Sequence, residues 1–259
     1  MMKRIVRPLE LITPKTFYSL MAAEIAIAVL LWLRFSVNLI PGPIQVAKAL
    51  GELLSTQEFY QGLVSSLFLT FKGMLISILI SLFISYTYFI PMLKPIGMFI
   101  VKCRYLTLTG LIFLFTLLTK NGSELKLSLL VFGIVPFFVT SMISELASIN
   151  VQEFEVCKTL RMNNWETWFE VIIIGRLDHV VETLRQNFAI AWLMITMIEG
   201  LSMSEGGLGV LLIKANKYVN MPRVFALLVV ILTLGIFFDF LLGFARAWLF
   251  PYTRLQVMK

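Results

Sequence analysis

Residues 151–185 read VQEFEVCKTLRMNNWETWFEVIIIGRLDHVVETLR. This is the one long polar interval between apolar runs, in a chain whose charged residues amount to only 14%. It carries Glu153, Glu155, Lys158, Arg161, Glu166, Glu170, Arg176, Asp178, His179, Glu182 and Arg185. Phe154, Leu160, Trp165, Trp168 and Phe169 are interleaved among those charges in a helical pattern. Phe154, Cys157 and Leu160 fall on one helical face. Asn163 stands three residues before Glu166, the spacing of a helix N-cap with a reciprocal glutamate. The pattern predicts a helix from about Gln152 to Leu160, a turn over Arg161 to Asn163, and a second helix from Asn164 to about Ile174. An interval of this size is long enough to fold and to dock onto something soluble.

Outward from it the chain is apolar. Hydrophobic residues make up 59% of the sequence and the mean hydropathy is +0.88, against about 45–50% apolar residues in an ordinary soluble domain. They gather into runs long enough for a hydrocarbon layer about 30 Å thick, which takes roughly 20 helical residues. Backbone groups in lipid must bond within their own segment, so the runs are helices. The chain is therefore expected to be an all-α integral membrane protein, one transmembrane domain over residues 1–259.

Toward the N-terminus the expected spans are Leu127–Ile143, Tyr105–Thr119, Gly62–Ile90 and Phe17–Leu33. Pro136 lies inside the first of these, so a kink packed against protein is expected there. Pro91 and Pro95 stop the long Gly62 run, which Lys72-Gly73 interrupts. Pro41-Gly-Pro43 sets a turn, followed by a short amphipathic helix from Val46 to Leu54. That helix is placed at the interface, in an extracellular loop over about 35–60. Toward the C-terminus come Asn187–Leu201, the turn Gly206-Gly-Leu-Gly209, and Val224–Ala247. The first run lacks a short apolar core with a cleavage site, so it reads as a retained anchor.

About six spans put both termini on one side. Lys3, Arg4, Arg7, Lys15, Lys94, Lys102, Arg104, Lys158, Arg161, Arg176, Arg185, Arg246, Arg254 and Lys259 then share that side. Arg34, Lys48, Lys120, Lys126, Lys214, Lys217 and Arg223 face the other. This two-to-one bias puts the termini and the interval 146–185 in the cytoplasm. It also accounts for the net charge of +7 without nucleic acid, since no basic face with interleaved aromatics stands apart from the spans. Cys103 and Cys157 fall in a reducing compartment, with no metal-ligand spacing.

The interval Asn150 to Arg185 resembles the cytoplasmic loop of type I ABC importer permeases, the loop that bears the EAA motif. The branch it is most similar to serves nitrate, sulfonates, taurine and related small molecules. The match is carried by Glu155-Val-Cys-Lys-Thr-Leu160, Trp165, Leu177, and Leu184-Arg185 leading to Ala191-Trp192. Glu199 followed by Gly207-Leu-Gly209 resembles that branch's end of the fifth helix. Ile40-Pro-Gly-Pro43 with Val46, Ser66-Leu67 with Gly73, Lys126 and Pro136 are similar too. The chain departs from the family pattern at Arg161, where the family has glycine, at Ile174 and Asp178, where it has prolines, and at Leu69, where it has a basic residue. Arg161 must bear the strain of the glycine's turn or alter it.

The resemblance implies the permease fold and an inner-membrane location in a bacterium. It implies a dimer with a second copy or a paralogous permease, cytoplasmic ATPase subunits that bind the ATP and Mg, and an external solute-binding protein. ATPase coupling would fall to Glu155, Cys157, Leu160, Arg161, Met162, Asn163 and Trp165. Glu199 and Lys72 are candidates for the translocation path, with structural hydrogen bonding near Gly207 the rival role for Glu199. Glu24 and Lys72 could pair if the first two spans pack at matching depth. From pattern alone, interfacial helices with aromatic anchors are the competing account of the loop. The competing function is a secondary transporter or channel working without an ATPase, against which stands the lack of a repeat between halves. An intramembrane enzyme fits poorly: His179 is the only histidine, and it is expected to be a solvated side chain. Gly206-Gly-Leu-Gly209 lacks the Lys-Ser/Thr of a phosphate loop, so this chain itself is expected to bind no cofactor.

Overall fold

A computed structural model describes residues 14–34, 41–203 and 206–251. Lys3, Arg4, Arg7, residues 35–40, Arg254 and Lys259 lie outside these, and the expectations resting on them lie there too. Among the described residues there is no strand. The helices are α1 (Pro14–Arg34), α2 (Pro43–Leu54), α3 (Gln57–Thr87), α4 (Lys94–Cys103), α5 (Leu108–Leu118), α6 (Gly122–Ala147), α7 (Val151–Thr159), α8 (Asn164–Thr167), α9 (Leu177–Leu201), α10 (Leu208–Lys217) and α11 (Met221–Leu249).

The contact that organises the fold is α3 against α6. Gly62, Ser66, Thr70, Gly73, Ser77, Ser81 and Ser85 recur every three or four residues along α3, and all are buried. Small side chains let two backbones approach closely where lipid offers no hydrophobic drive for helices to associate. The Thr70 hydroxyl donates to the Ser66 carbonyl at 2.7 Å and Ser77 to the Gly73 carbonyl at 2.7 Å, so these two hydroxyls are satisfied within the helix. From α6 come Leu129, Leu130, Ile134, Phe138 and Met142, all almost fully enclosed. α9 packs on the other side of α6, and α10 and α11 complete the bundle. Half of the apolar window of α6 is buried, against 11% of that of α11. α6 is thus the axis, and α11 offers a broad apolar face outward.

The chain is a helical membrane protein with several spans. Among the described residues three helices, α3, α6 and α11, are long and apolar enough to cross a bilayer. The expected third span is corrected. Tyr105–Thr119 holds only α5, whose 11 residues rise about 16 Å. It follows α4 at a bend of 112°, so the pair is one broken span or a re-entrant hairpin. α4 itself fills a stretch read as a cytoplasmic loop around Lys94 and Lys102. Lys72-Gly73 does not interrupt α3, which runs unbroken for 31 residues. Pro136 is buried inside a continuous α6, packed against protein as expected.

The short helix expected from Val46 to Leu54 is present as α2, which buries Val46 and Leu53 and packs against α11. By contrast α1 is exposed along nearly its whole length. The Trp32 indole donates to the Pro41 carbonyl at 3.0 Å and pins the end of α1 to the start of α2.

Candidate functional site

The polar interval folds as two short helices about a sharp bend. The Asn150 side chain caps α7 by accepting from the Gln152 N–H at 3.2 Å. At the far end the Met162 N–H donates to the Cys157 carbonyl at 3.1 Å and the Arg161 N–H to Lys158 at 3.0 Å. That pair of bonds is a Schellman closure, whose hinge residue takes the left-handed conformation and is usually glycine. Here it is Arg161, with φ of 57°. The arginine bears the conformation at a cost of roughly 1–2 kcal/mol. The next helix is capped at once: the Asn163 N–H donates to Glu166 Oε2 at 2.7 Å, and Asn163 Oδ1 accepts from the Asn164 N–H at 2.6 Å. These are the predicted turn and capping box.

The second helical stretch ends at Ile173, close to the expected end near Ile174. α8 passes into a π-helical turn at Trp168–Ile173 and a 3-10 turn at Ile174–Arg176, then into α9. Arg176, at φ −121° and ψ 17°, leaves the helical region just before α9 begins. Arg176 Nη2 reaches Glu153 Oε1 at 2.6 Å and ties α7 to this junction. His179 is half-buried, with Nδ1 3.1 Å from Glu145, and so is not the freely solvated side chain expected.

Of the residues singled out for coupling, Glu155, Leu160, Arg161, Asn163 and Trp165 are exposed. Cys157 points into the core at 7% exposure, and Met162 is half-buried against it. Leu160 and Trp165 are 68% and 63% exposed, an apolar pair flanking the bend on the outer surface. Behind them the Trp165 and Trp168 rings meet edge to face at 5.8 Å, and the Trp168 indole donates to the Tyr86 carbonyl at 3.3 Å. A cleft of about 500 Å³ lined by Phe89, Pro91, Phe154, Trp165 and Trp168 separates the loop from the end of α3. Displacement of the bend would therefore be carried to α3 through Trp168 and to α9 through the π-helical and 3-10 turns that lead into it.

Glu199 has no exposed surface. Its Oε1 and Oε2 lie 2.7 and 2.9 Å from the Ser66 hydroxyl, and Oε2 accepts from the Gly209 N–H at 2.9 Å. Ser66 Oγ in turn accepts from the Leu208 N–H at 2.8 Å. The buried Lys126 ammonium donates to the Gly206 carbonyl at 2.9 Å, closing the same turn from α6. This is a clamp joining α3, α6, α9 and the start of α10, hydrogen-bonded around the turn at Gly206 to Gly209. In the sequence Ser66 stands out only through the family resemblance, and Lys126 only through that and the charge bias. Nothing in their spacing foretold that they meet at Glu199.

Lys72 is exposed on α3, and no described carboxylate lies within 4.0 Å of it. The anticipated pair with Glu24 is not formed within the chain. Sequence reasoning also missed a charge network between α9 and α11. Arg185 holds Asp239 through Nε at 2.7 Å and Nη2 at 3.3 Å, and Arg246 holds Glu182 at 2.6 Å. No protein-family model matches the chain, and no curated protein matches it significantly.

Proposed function

We propose that the chain is the membrane-spanning subunit of an ATP-driven importer, with the permease fold of the type I family. Residues 151–176 dock onto a cytoplasmic ATPase. The bend at Arg161 carries this reading. A residue without glycine's freedom holds the left-handed hinge at the position where the family has glycine, between two separately capped short helices. A helix pair fixed so firmly at both caps is suited to rigid transmission, and exposed Leu160 and Trp165 provide the apolar anchors that interfaces use.

In this reading α1, α3, the bent α4–α5 pair, α6, α9 and α11 make up the six membrane segments, with both termini in the cytoplasm of a bacterium. Two permeases enclose the path for a small anion or organic solute. The opposite face presents a cleft of about 400 Å³ between α2 and the start of α11, lined by Lys48, Glu52 and Arg223, where an external binding protein would deliver it. The test is co-purification of the ATPase from mildly solubilised membranes with Arg161→Ala, Leu160→Ala and Trp165→Ala, together with ATP-driven uptake. Weakened association with uptake lost supports the docking assignment. Unchanged association and uptake overturn it, and uptake that persists without ATP hydrolysis favours a secondary transporter.

A further inference from the structure

The helices read as membrane segments contain, away from their end turns, two charged side chains that no described residue neutralises. Glu24 is the central residue of α1, and Lys72 is the central residue of α3. The other mid-helix charges are engaged: Glu199 by Ser66 and Gly209, Asp239 by Arg185. An ion left unpaired at the centre of a bilayer is costly, so such groups face protein or water and find partners. Glu24 and Lys72 are both exposed, opposite in sign, and at equal depth if each helix is centred in the membrane.

Within the chain the two form no ion pair at 4.0 Å or less. The end of α1 is pinned by Trp32 to Pro41, at the start of α2. α2 is 12 residues long, about 18 Å, and lies along α11 before the chain turns into α3. So α1 leaves the bundle about one α2 length from the head of α3, whereas packed helices stand 8–10 Å apart. The face of α3 around Lys72 is also unpartnered: Phe68, Leu75 and Leu79 are 69%, 62% and 64% exposed.

We propose that α1 of one copy lies against the Lys72 face of α3 of a second copy, pairing Glu24 with Lys72 across the interface. By symmetry the pair occurs twice in a dimer. The inference rests on the dimeric part of the proposed function and not on the ATPase. It assigns to α1, which packs on little of its own chain, the role of a strap carrying the counter-ion for its partner.

Two differently tagged copies test this in one membrane, each with Cys103→Ser and Cys157→Ala, one carrying Glu24→Cys and the other Lys72→Cys. Oxidation is expected to give a disulfide-linked dimer containing both tags. A linked monomer from the double variant in a single copy, or no link at all, overturns the proposal. A charge exchange in the chain with its native cysteines covers the case in which the cysteine-free protein fails to fold. Glu24→Lys or Lys72→Glu alone should reduce the dimer recovered in mild detergent about tenfold or more. The two together should restore most of it, and failure of that rescue overturns the pairing. ATPase co-purification is read on the same samples. A cross-linked dimer without ATPase would refute the importer reading and leave the pair standing. ATPase association without either rescue or cross-link would do the reverse.

Discussion

The Glu199 carboxyl group occupies the space that a side chain on Gly207 would need. A Cβ built at Gly207 overlaps the carboxyl carbon and both its oxygens, and the residue sits at φ of 125°, where side chains are rarely tolerated. Gly206, next to it, also has positive φ, 74°, but a Cβ there meets open space. The neighbours should therefore respond differently. Gly206→Ala should lose only about 1 kcal/mol, from backbone strain. Gly207→Ala adds a clash with a clamped carboxylate and should lose roughly 3 kcal/mol or more. Thermal unfolding in detergent would rank them, and equal midpoints would contradict the clamp.

Ser66 serves Glu199 and the Leu208 N–H at once. Ser66→Ala leaves a buried carboxylate short of a donor and a backbone N–H without an acceptor, a loss of roughly 2–3 kcal/mol. Glu199→Gln puts an amide donor among donors and should lose a similar amount. Because the two changes break the same network, the double variant should unfold well above the temperature that adding the single effects would give. Strict additivity in that double-mutant cycle would show that the two groups do not act together.

At the hinge, stability and recognition should separate. Arg161→Gly removes the left-handed strain and keeps the Schellman bonds, so the chain should gain about 1 kcal/mol after the entropy cost of glycine. Arg161→Val should instead lose stability, since a β-branched residue is the least tolerant of positive φ. If the guanidinium touches the ATPase, Arg161→Gly would be more stable yet bind less. A drop in unfolding temperature for the glycine variant would mean that the arginine side chain makes native contacts outweighing its strain.

The sequence exposed this bend because its determinants are local. Asn163 and Glu166 act within a few residues of each other, so their spacing alone located the second cap. The same holds for α2 and the end of α3 at the Pro91 turn. The Asn150 cap is equally local and came only with the structure. What spacing could not show was partnership at long range. Ser66 and Glu199 are 133 residues apart, and a serine in an apolar run looks like any other until the facing helix is known. The small-residue stripe of α3 was hidden for a related reason, since hydropathy weighs the large side chains that face outward. The α4–α5 bend was missed because Lys102-Cys-Arg104 looks like a flank of the next span, and charge pattern does not record where a backbone turns.

The Arg185–Asp239 pair joins α9 to α11 beside the Trp192 indole, which donates to the Ile231 carbonyl at 2.9 Å, and the Phe188 and Trp192 rings, which meet Phe238. Asp239→Asn should cost about 1 kcal/mol or less, the usual worth of a polar link between membrane helices. Reversal of both charges, Arg185→Asp with Asp239→Arg, should recover part of the loss. Gly243, whose added Cβ would stand 3.6 Å from the guanidinium, leaves room for that exchange. If the exchanged protein were no better than either single reversal, Glu182 and Arg246 would be the dominant pair, and Arg246→Gln should then be the more damaging change.

Close approach of α3 to α6 can be tested by exchanging volume across it. A Cβ at Gly73 would come within 2.5 Å of Leu130 Cδ2, the far end of a side chain that is itself fully buried. Gly73→Ala must therefore push Leu130 off its rotamer or move the helices apart, at about 1–3 kcal/mol. Leu130→Ala alone leaves a cavity and should cost roughly 2–5 kcal/mol. Together the added methyl takes some of the vacated space and the clash is gone. The double variant should then be more stable than the sum of the two losses, by about 1 kcal/mol or more. Yield and unfolding temperature in detergent measure this. Simple addition of the losses would mean that α3 and α6 stand farther apart than the buried Gly-Ser stripe requires.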